Sequence, residues 1–196
     1  MVKKLPPILL VLLLAACSAG PAPAQTPSAG QLAAEEQAVY AALIKGRYPA
    51  GMVVLMAETA TDAEGNGNLD RTLQYVLQNM HSVSPQTIDR FKAGNAAAQP
   101  LEATMQLGVP YVLLGHDDIT ALFNVNQDGW QLFYERYPQA RGILTFSRAG
   151  FDDALDQALV YVGVQSQALA GAGHYVLLKK VNGVWMVDQE VMVWIS

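Results

Sequence analysis

From Gly142 to the C-terminus the apolar residues fall into four short runs, "GILTFSRAGF", "QALVYVGVQS", "HYVLLKKV" and "VWMVDQEVMVWI". Each is rich in β-branched and aromatic residues and bounded by Gly, Asp or Asn, which predicts four strands. Between the last two, Asn182-Gly183 stands between Val181 and Val184. A two-residue loop of this kind predicts a type I′ hairpin, because both central positions need positive φ. Ala170-Gly171-Ala172-Gly173 reads as a looser turn ahead of "HYVLLKKV".

Upstream the period changes from two to about 3.6. Leu32, Val39 and Leu43 share a face with Ala42 beside them, which predicts a helix over Leu32–Lys45, with Glu35 and Glu36 near its start and Gly46 at its end. Gly51–Ala60 reads as a short apolar strand. In Asn68–Met80, Leu69, Leu73, Val76, Leu77 and Met80 recur at helical spacing, Asn68 caps, and Asp70 suits the positive end of the helix dipole. Ser84-Pro85 opens another helix, with Ile88 and Phe91 facing inward. "VPYVLLG" reads as a strand; Asp117 or Asp118 caps a short helix through Phe123, and Asp128 precedes a helix that ends at Pro138. Helices followed by a strand meander predict an α+β fold, N-terminal helices packed on a C-terminal antiparallel β-meander.

The N-terminus carries a different signal. Lys3 and Lys4 precede an apolar run over Ile8–Ala16 that is too short to span a bilayer comfortably and has signal-peptide flanks. Leu14-Ala15-Ala16-Cys17 resembles the lipobox of bacterial lipoproteins. The resemblance implies cleavage before Cys17, a diacylglyceryl group on its sulfur and acylation of its new amine. Several acyl chains anchor firmly, at ~0.8 kcal/mol per buried CH₂. Ser18, in place of an Asp, implies by the same resemblance sorting to the periplasmic face of the outer membrane. Ser18–Gly30 holds Pro21, Pro23 and Pro27 among small polar residues and reads as a tether. The expected organisation is a signal peptide over residues 1–16, a lipidated Cys and tether over 17–30, and a single α+β domain over 31–196.

Composition narrows the function classes. The chain has 196 residues, 52% hydrophobic and 15% charged, with one cysteine, enough for one core. If that cysteine is lipidated, no disulfide, thiol nucleophile or Cys-based metal site remains. The formal net charge of −5 becomes −7 once Lys3 and Lys4 are removed. No basic stripe survives, which argues against nucleic acid as a partner and leaves membrane attachment to the lipid anchor.

Several clusters have the residue types of a chemical site. Asp62, Glu64, Asn66 and Asp70 occupy near-alternate positions around Gly67 and partly resemble a calcium loop. The twelfth position, where a bidentate Glu belongs, is Leu73, so too few oxygens converge; a helix-capping loop is the plainer reading and no metal is expected. Trp130, Phe133, Tyr134 and Tyr137 form a helical stripe that lines either a groove or, more commonly, a core. Ser147 is the best-placed serine, with His81, His116 and His174 available as bases, but no nucleophile elbow surrounds it. His116-Asp117-Asp118 and the pair Asp152-Asp153 read more simply as a helix cap and a solvated turn, and His174 as a surface or edge histidine. No phosphate-binding loop or dinucleotide fingerprint is present, and no cofactor is implied.

The strings "YPQARGILTFSRAGFDDALDQALVYVG" and "LAGAGHYVLLKKVNGVWMV" and the ending "VMVWIS" resemble a group of uncharacterised bacterial secreted or lipid-anchored proteins. That group shares Ser-Arg-x-Gly-Phe, Ala-Leu-Val-Tyr, Ala-Gly-x-Gly and a Lys-rich hairpin ending in Gly-x-Trp. The likeness is clearest over Trp130–Ser196 and fainter from Val53, including "FKAGN" at Phe91–Asn95. It implies no activity. The terminal hairpin also resembles the last strands of the nuclear-transport-factor-2-like fold, a likeness that carries no function. The expectation is a lipid-anchored, non-catalytic envelope protein binding a protein or small ligand, with Ser147 and Arg148 marking the corner where a ligand would sit. The alternatives are an envelope hydrolase using Ser147 or a His/Asp pair, and calcium binding over Asp62–Asp70.

Overall fold

Alternation sends successive side chains of the apolar runs to opposite faces of one sheet. The computed structural model describes residues 26–48, 51–61, 68–123 and 128–196. The strands are β1 (Val53–Met56), β2 (Tyr111–Leu114), β3 (Ile143–Phe146), β4 (Gly150–Phe151), β5 (Gln157–Gln167), β6 (Ala170–Val181) and β7 (Val184–Ile195). They form one sheet in the order β2-β1-β3-β5-β6-β7, with β4 beside β5. From β3 onward every pairing is antiparallel, and this is the expected meander. β1 pairs parallel with both β2 and β3, so the sheet is mixed and the fold is α+β. Parallel pairing needs long crossovers, here supplied by the intervening helices.

The helices cover both faces. α1 (Ala29–Arg47) lies on one face, where Val39, Tyr40, Leu43 and Ile44 meet Leu55, Phe146, Val160 and Val176. Tyr40 stacks on Phe146 with ring centroids 4.7 Å apart. On the opposite face α2 (Leu69–Asn79) and α3 (Pro85–Gly94) bring Leu73, Val76 and Phe91 onto Leu159, Tyr161, Tyr175 and Leu177. Beside them α4 (His116–Phe123) and α5 (Gly129–Arg136) bring Leu122 and Phe133 onto Val54 and Ile143. Full burial of such side chains contributes ~1.5–3 kcal/mol each, so three apolar clusters hold the helices to the two faces of the sheet. Among the described residues no helix is long and apolar enough to cross a membrane.

The expected caps are present. Asn68 accepts from Arg71 N at 3.0 Å, Ser84 from Thr87 N at 3.1 Å and Asp128 from Trp130 N at 3.0 Å. The Asn182-Gly183 loop has φ of 50° and 80°, as a type I′ hairpin requires. Three local expectations shift. Helix α1 starts at Ala29, ahead of the expected Leu32, because Ser28 and Gln31 form a reciprocal capping box. The strand expected over Gly51–Ala60 is confined to Val53–Met56, and beyond it Glu58 makes an isolated bridge to Pro100. Ala170-Gly171-Ala172-Gly173 is not a turn but the start of β6; the turn is Ala168-Leu169.

Candidate functional site

The Ser147–Arg148 corner is a clasp between the sheet and two helices. Arg148 Nη2 lies 2.9 Å from Glu36 Oε2 on α1, and Glu36 Oε1 accepts from Ala149 N at 2.8 Å. Tyr40 Oη donates to Ser147 O at 2.8 Å. Asn95, at the end of α3, grips the Arg148 backbone from both sides, accepting from its N–H at 2.8 Å and donating to its carbonyl at 3.0 Å. Ser147 is 2% exposed; its hydroxyl donates to Arg148 O at 3.0 Å and accepts from Tyr161 N at 2.8 Å. A hydroxyl fixed by two backbone partners fills a gap between β3 and β5, which is a structural task. Burial is the largest influence on Glu36 and raises its pKa, opposed by the Ala149 N–H and by Arg148. Burial also pushes the Tyr40 phenol well up, with Glu36 adding to it. The cavity beside this cluster is only about 20 Å³, the scale of one water. Arg148 therefore pairs with Glu36, not with an aspartate of the following turn.

The rest of the signature docks in the same way. A Cβ on Gly150 would stand 2.4 Å from Thr87 O and 2.5 Å from Phe91 N, so only glycine lets β4 touch α3. Arg90 donates to Asp152 O at 2.7 Å and pairs with Asp153. Asp152 Oδ1 accepts from the backbone of Asp156 and Gln157, a self-bonded turn. Gln157 binds Ser84 N at 2.7 Å and Ser82 O at 2.8 Å. "SRAGFDDALDQ" is thus one docking strip for α1 and α3.

The other sequence candidates are dispersed. Asp118 accepts from Gly115 N at 3.0 Å as a cap. His81 and His116 are exposed. His174 is not at an edge: it lies in β6, paired to Val162 on one side and Met192 on the other. Its Nε2 is 3.6 Å from Glu190 Oε1, and burial lowers its pKa against the pull of Glu190. Of the calcium-like set, Asp70 pairs with Lys92, while Asp62, Glu64 and Asn66 lie outside the described residues, as does Cys17. Among the described residues no three acidic, His or Cys side chains converge as a metal site would need.

What the fold does build is a cleft of about 580 Å³ beside α4 and α5, within the usual range for small-molecule sites. Ile143 and Thr145 of β3 and Gly163 of β5 line it from the sheet, Trp130 and Phe123 from the helices, and Trp194 of β7 from the far side. The segment after β1, Glu58 to Thr61, adds most of its polar groups. Trp194 is placed by its neighbours. Built Cβ atoms on Gly173 and Gly171 would stand 2.0 Å and 3.0 Å from its indole, so the two glycines are a bed for the ring. Its Nε1 donates to Tyr161 Oη at 2.8 Å. With that N–H engaged and the ring against the sheet, the indole offers the cleft an apolar surface. Trp130 is held by Phe123 and Phe133 in edge contacts, centroids 5.0 Å and 5.5 Å away. The aromatic stripe thus divides: Phe133 and Tyr137 enter the core, and Trp130 faces the cleft.

The residue pattern singled out Trp130 but not Trp194, Thr145 or Gly163. The available signal was glycine inside strands, at Gly163, Gly171 and Gly173, which marks close approach of another group. No family model matches the chain, and neither a curated protein nor a solved structure matches it.

Proposed function

We propose that the protein is a lipid-anchored component of a bacterial cell envelope, held by Cys17 at the periplasmic face of the outer membrane, and that it binds a small ligand without transforming it. The anchor rests on Leu14-Ala15-Ala16-Cys17 after a basic and apolar leader. The binding role rests on one observation: a cleft of about 580 Å³ is lined by two tryptophans, with threonine and glutamine side chains at its polar edge. Ser147, the serine a hydrolase would use, is not among the residues lining that cleft, and its hydroxyl is engaged with backbone.

The tether gives this arrangement its purpose. A body joined to its acyl chains by a Pro-rich segment stays at the membrane without being pressed against it. The test has two arms. Wild type takes up a fatty-acid label and sediments with membranes, whereas Cys17→Ser is unlabelled and released; labelling that persists in Cys17→Ser overturns the anchor. Nile red, an uncharged apolar dye, binds the purified body and is excluded when Thr145→Phe fills the cleft. Equal binding to both overturns the cleft as the site.

A further inference from the structure

We infer that the cleft takes an organic cation with an apolar body. The inference deepens the binding role proposed above and rests on it. Among the described residues lining the cleft, Glu58 is the one ionisable side chain and none is Lys, Arg or His. The chain as a whole is acidic, at −5, so the field over the surface draws cations and repels anions. The start of α5, which could attract an anion next to Trp130, is already satisfied: Asp128 accepts from Trp130 N at 3.0 Å and Gln131 N at 3.4 Å. An anionic ligand would enter with no partner of opposite charge and with a carboxylate at the rim.

The aromatic lining favours the cation positively. Trp faces are the best π surfaces for an ammonium group, within about 6 Å of the ring. Trp194 is fixed with its N–H turned to Tyr161 and its ring against Gly171 and Gly173, so the group it presents to the cleft is π surface and not a donor. Trp130, braced by Phe123 and Phe133, supplies a second ring. Glu58, exposed at the mouth, supplies the counter-charge. Met56, Ile119 and Ile143 supply apolar walls, and about 580 Å³ leaves room for a body well beyond a trimethylammonium head.

The experiment compares three probes of one shape on the purified body: choline, its uncharged carbon isostere, and the matching carboxylate. Binding is read by tryptophan fluorescence and calorimetry. Choline is expected to bind about tenfold tighter than the isostere and the carboxylate more weakly still, with the preference shrinking as salt screens Glu58. Glu58→Gln, an exposed change, reduces the preference for choline, and Trp194→Phe weakens choline binding more than isostere binding. Isostere or carboxylate binding as tightly as choline overturns the cation, as does no detectable choline binding. Nile red separates the two failures: dye bound by wild type and excluded by Thr145→Phe with no preference for choline leaves the cleft a binding site for another class, whereas no Thr145-dependent dye binding removes both.

Discussion

Arg148 Nη2 stands 2.9 Å from Glu36 Oε2, joining a loop of the sheet to the middle of α1 across 112 residues of chain. The Glu36 side chain is 9% exposed and the Arg148 side chain 31%. A half-open pair of this kind contributes less than its Coulomb attraction implies, yet removing one partner strands the other. Arg148→Met is expected to destabilise the fold by ~1–3 kcal/mol, read by denaturant unfolding. A change within experimental error would show that α1 is held by its apolar face alone.

The same pair has a pH signature. Burial raises the Glu36 pKa in the folded state, so the native protein holds that proton more tightly than the unfolded chain does. The resulting stabilisation is complete below the unfolded value and is lost as pH rises through the folded one. The stability of wild type relative to Glu36→Gln therefore falls as pH climbs out of the ordinary glutamate range. Arg148→Met removes a group that lowers the Glu36 pKa and extends the loss to higher pH. Unfolding curves across that range check the sign; a gap that grows in favour of wild type contradicts it.

Gly173→Ala tests the seat of Trp194. The new methyl would stand 2.0 Å from Trp194 Nε1, so the ring must leave its bed and its bond to Tyr161. The expected cost is ~1–3 kcal/mol, with a changed tryptophan emission and weaker dye binding. Gly46→Ala is the control: nothing lies within 4 Å of its Cβ, and it sits in the last turn of α1. There alanine is expected to stabilise by ~0.5–1 kcal/mol.

Gly150→Ala strikes backbone, not a movable side chain, since its Cβ would meet Thr87 O and Phe91 N. It is expected to separate β4 from α3 and to be among the most destabilising single methyl additions in the chain. Thermal melting that leaves Gly150→Ala within a degree or two of wild type would refute the docking strip.

Local chemistry was legible in the sequence wherever cause and effect lie a few residues apart. Asn68, Ser84 and Asp128 cap the helices they precede, and Asn182-Gly183 turns where its positive φ is needed. Long-range relations were not legible. Gly171 and Gly173 look like a turn until Trp194 is laid on them; Arg148 has three aspartates nearby in sequence but pairs with a glutamate more than a hundred residues earlier. The parallel pairing of β1 with β2 and β3 has no local cue either, because short apolar runs read alike in either direction. Trp130 was visible as part of a stripe, but which of its rings would meet the cleft depended on where the sheet placed Ile143 and Trp194.

The three indole N–H resonances give the most direct test of the cleft as the binding site. Trp130 and Trp194 line it, while Trp185 packs on the α1 face and donates to Glu35 at 2.7 Å. Titration with choline, followed by nuclear magnetic resonance, is expected to shift the Trp130 and Trp194 signals and leave Trp185 in place. A shift of Trp185 alone, a uniform shift of all three, or no shift at all would contradict the account.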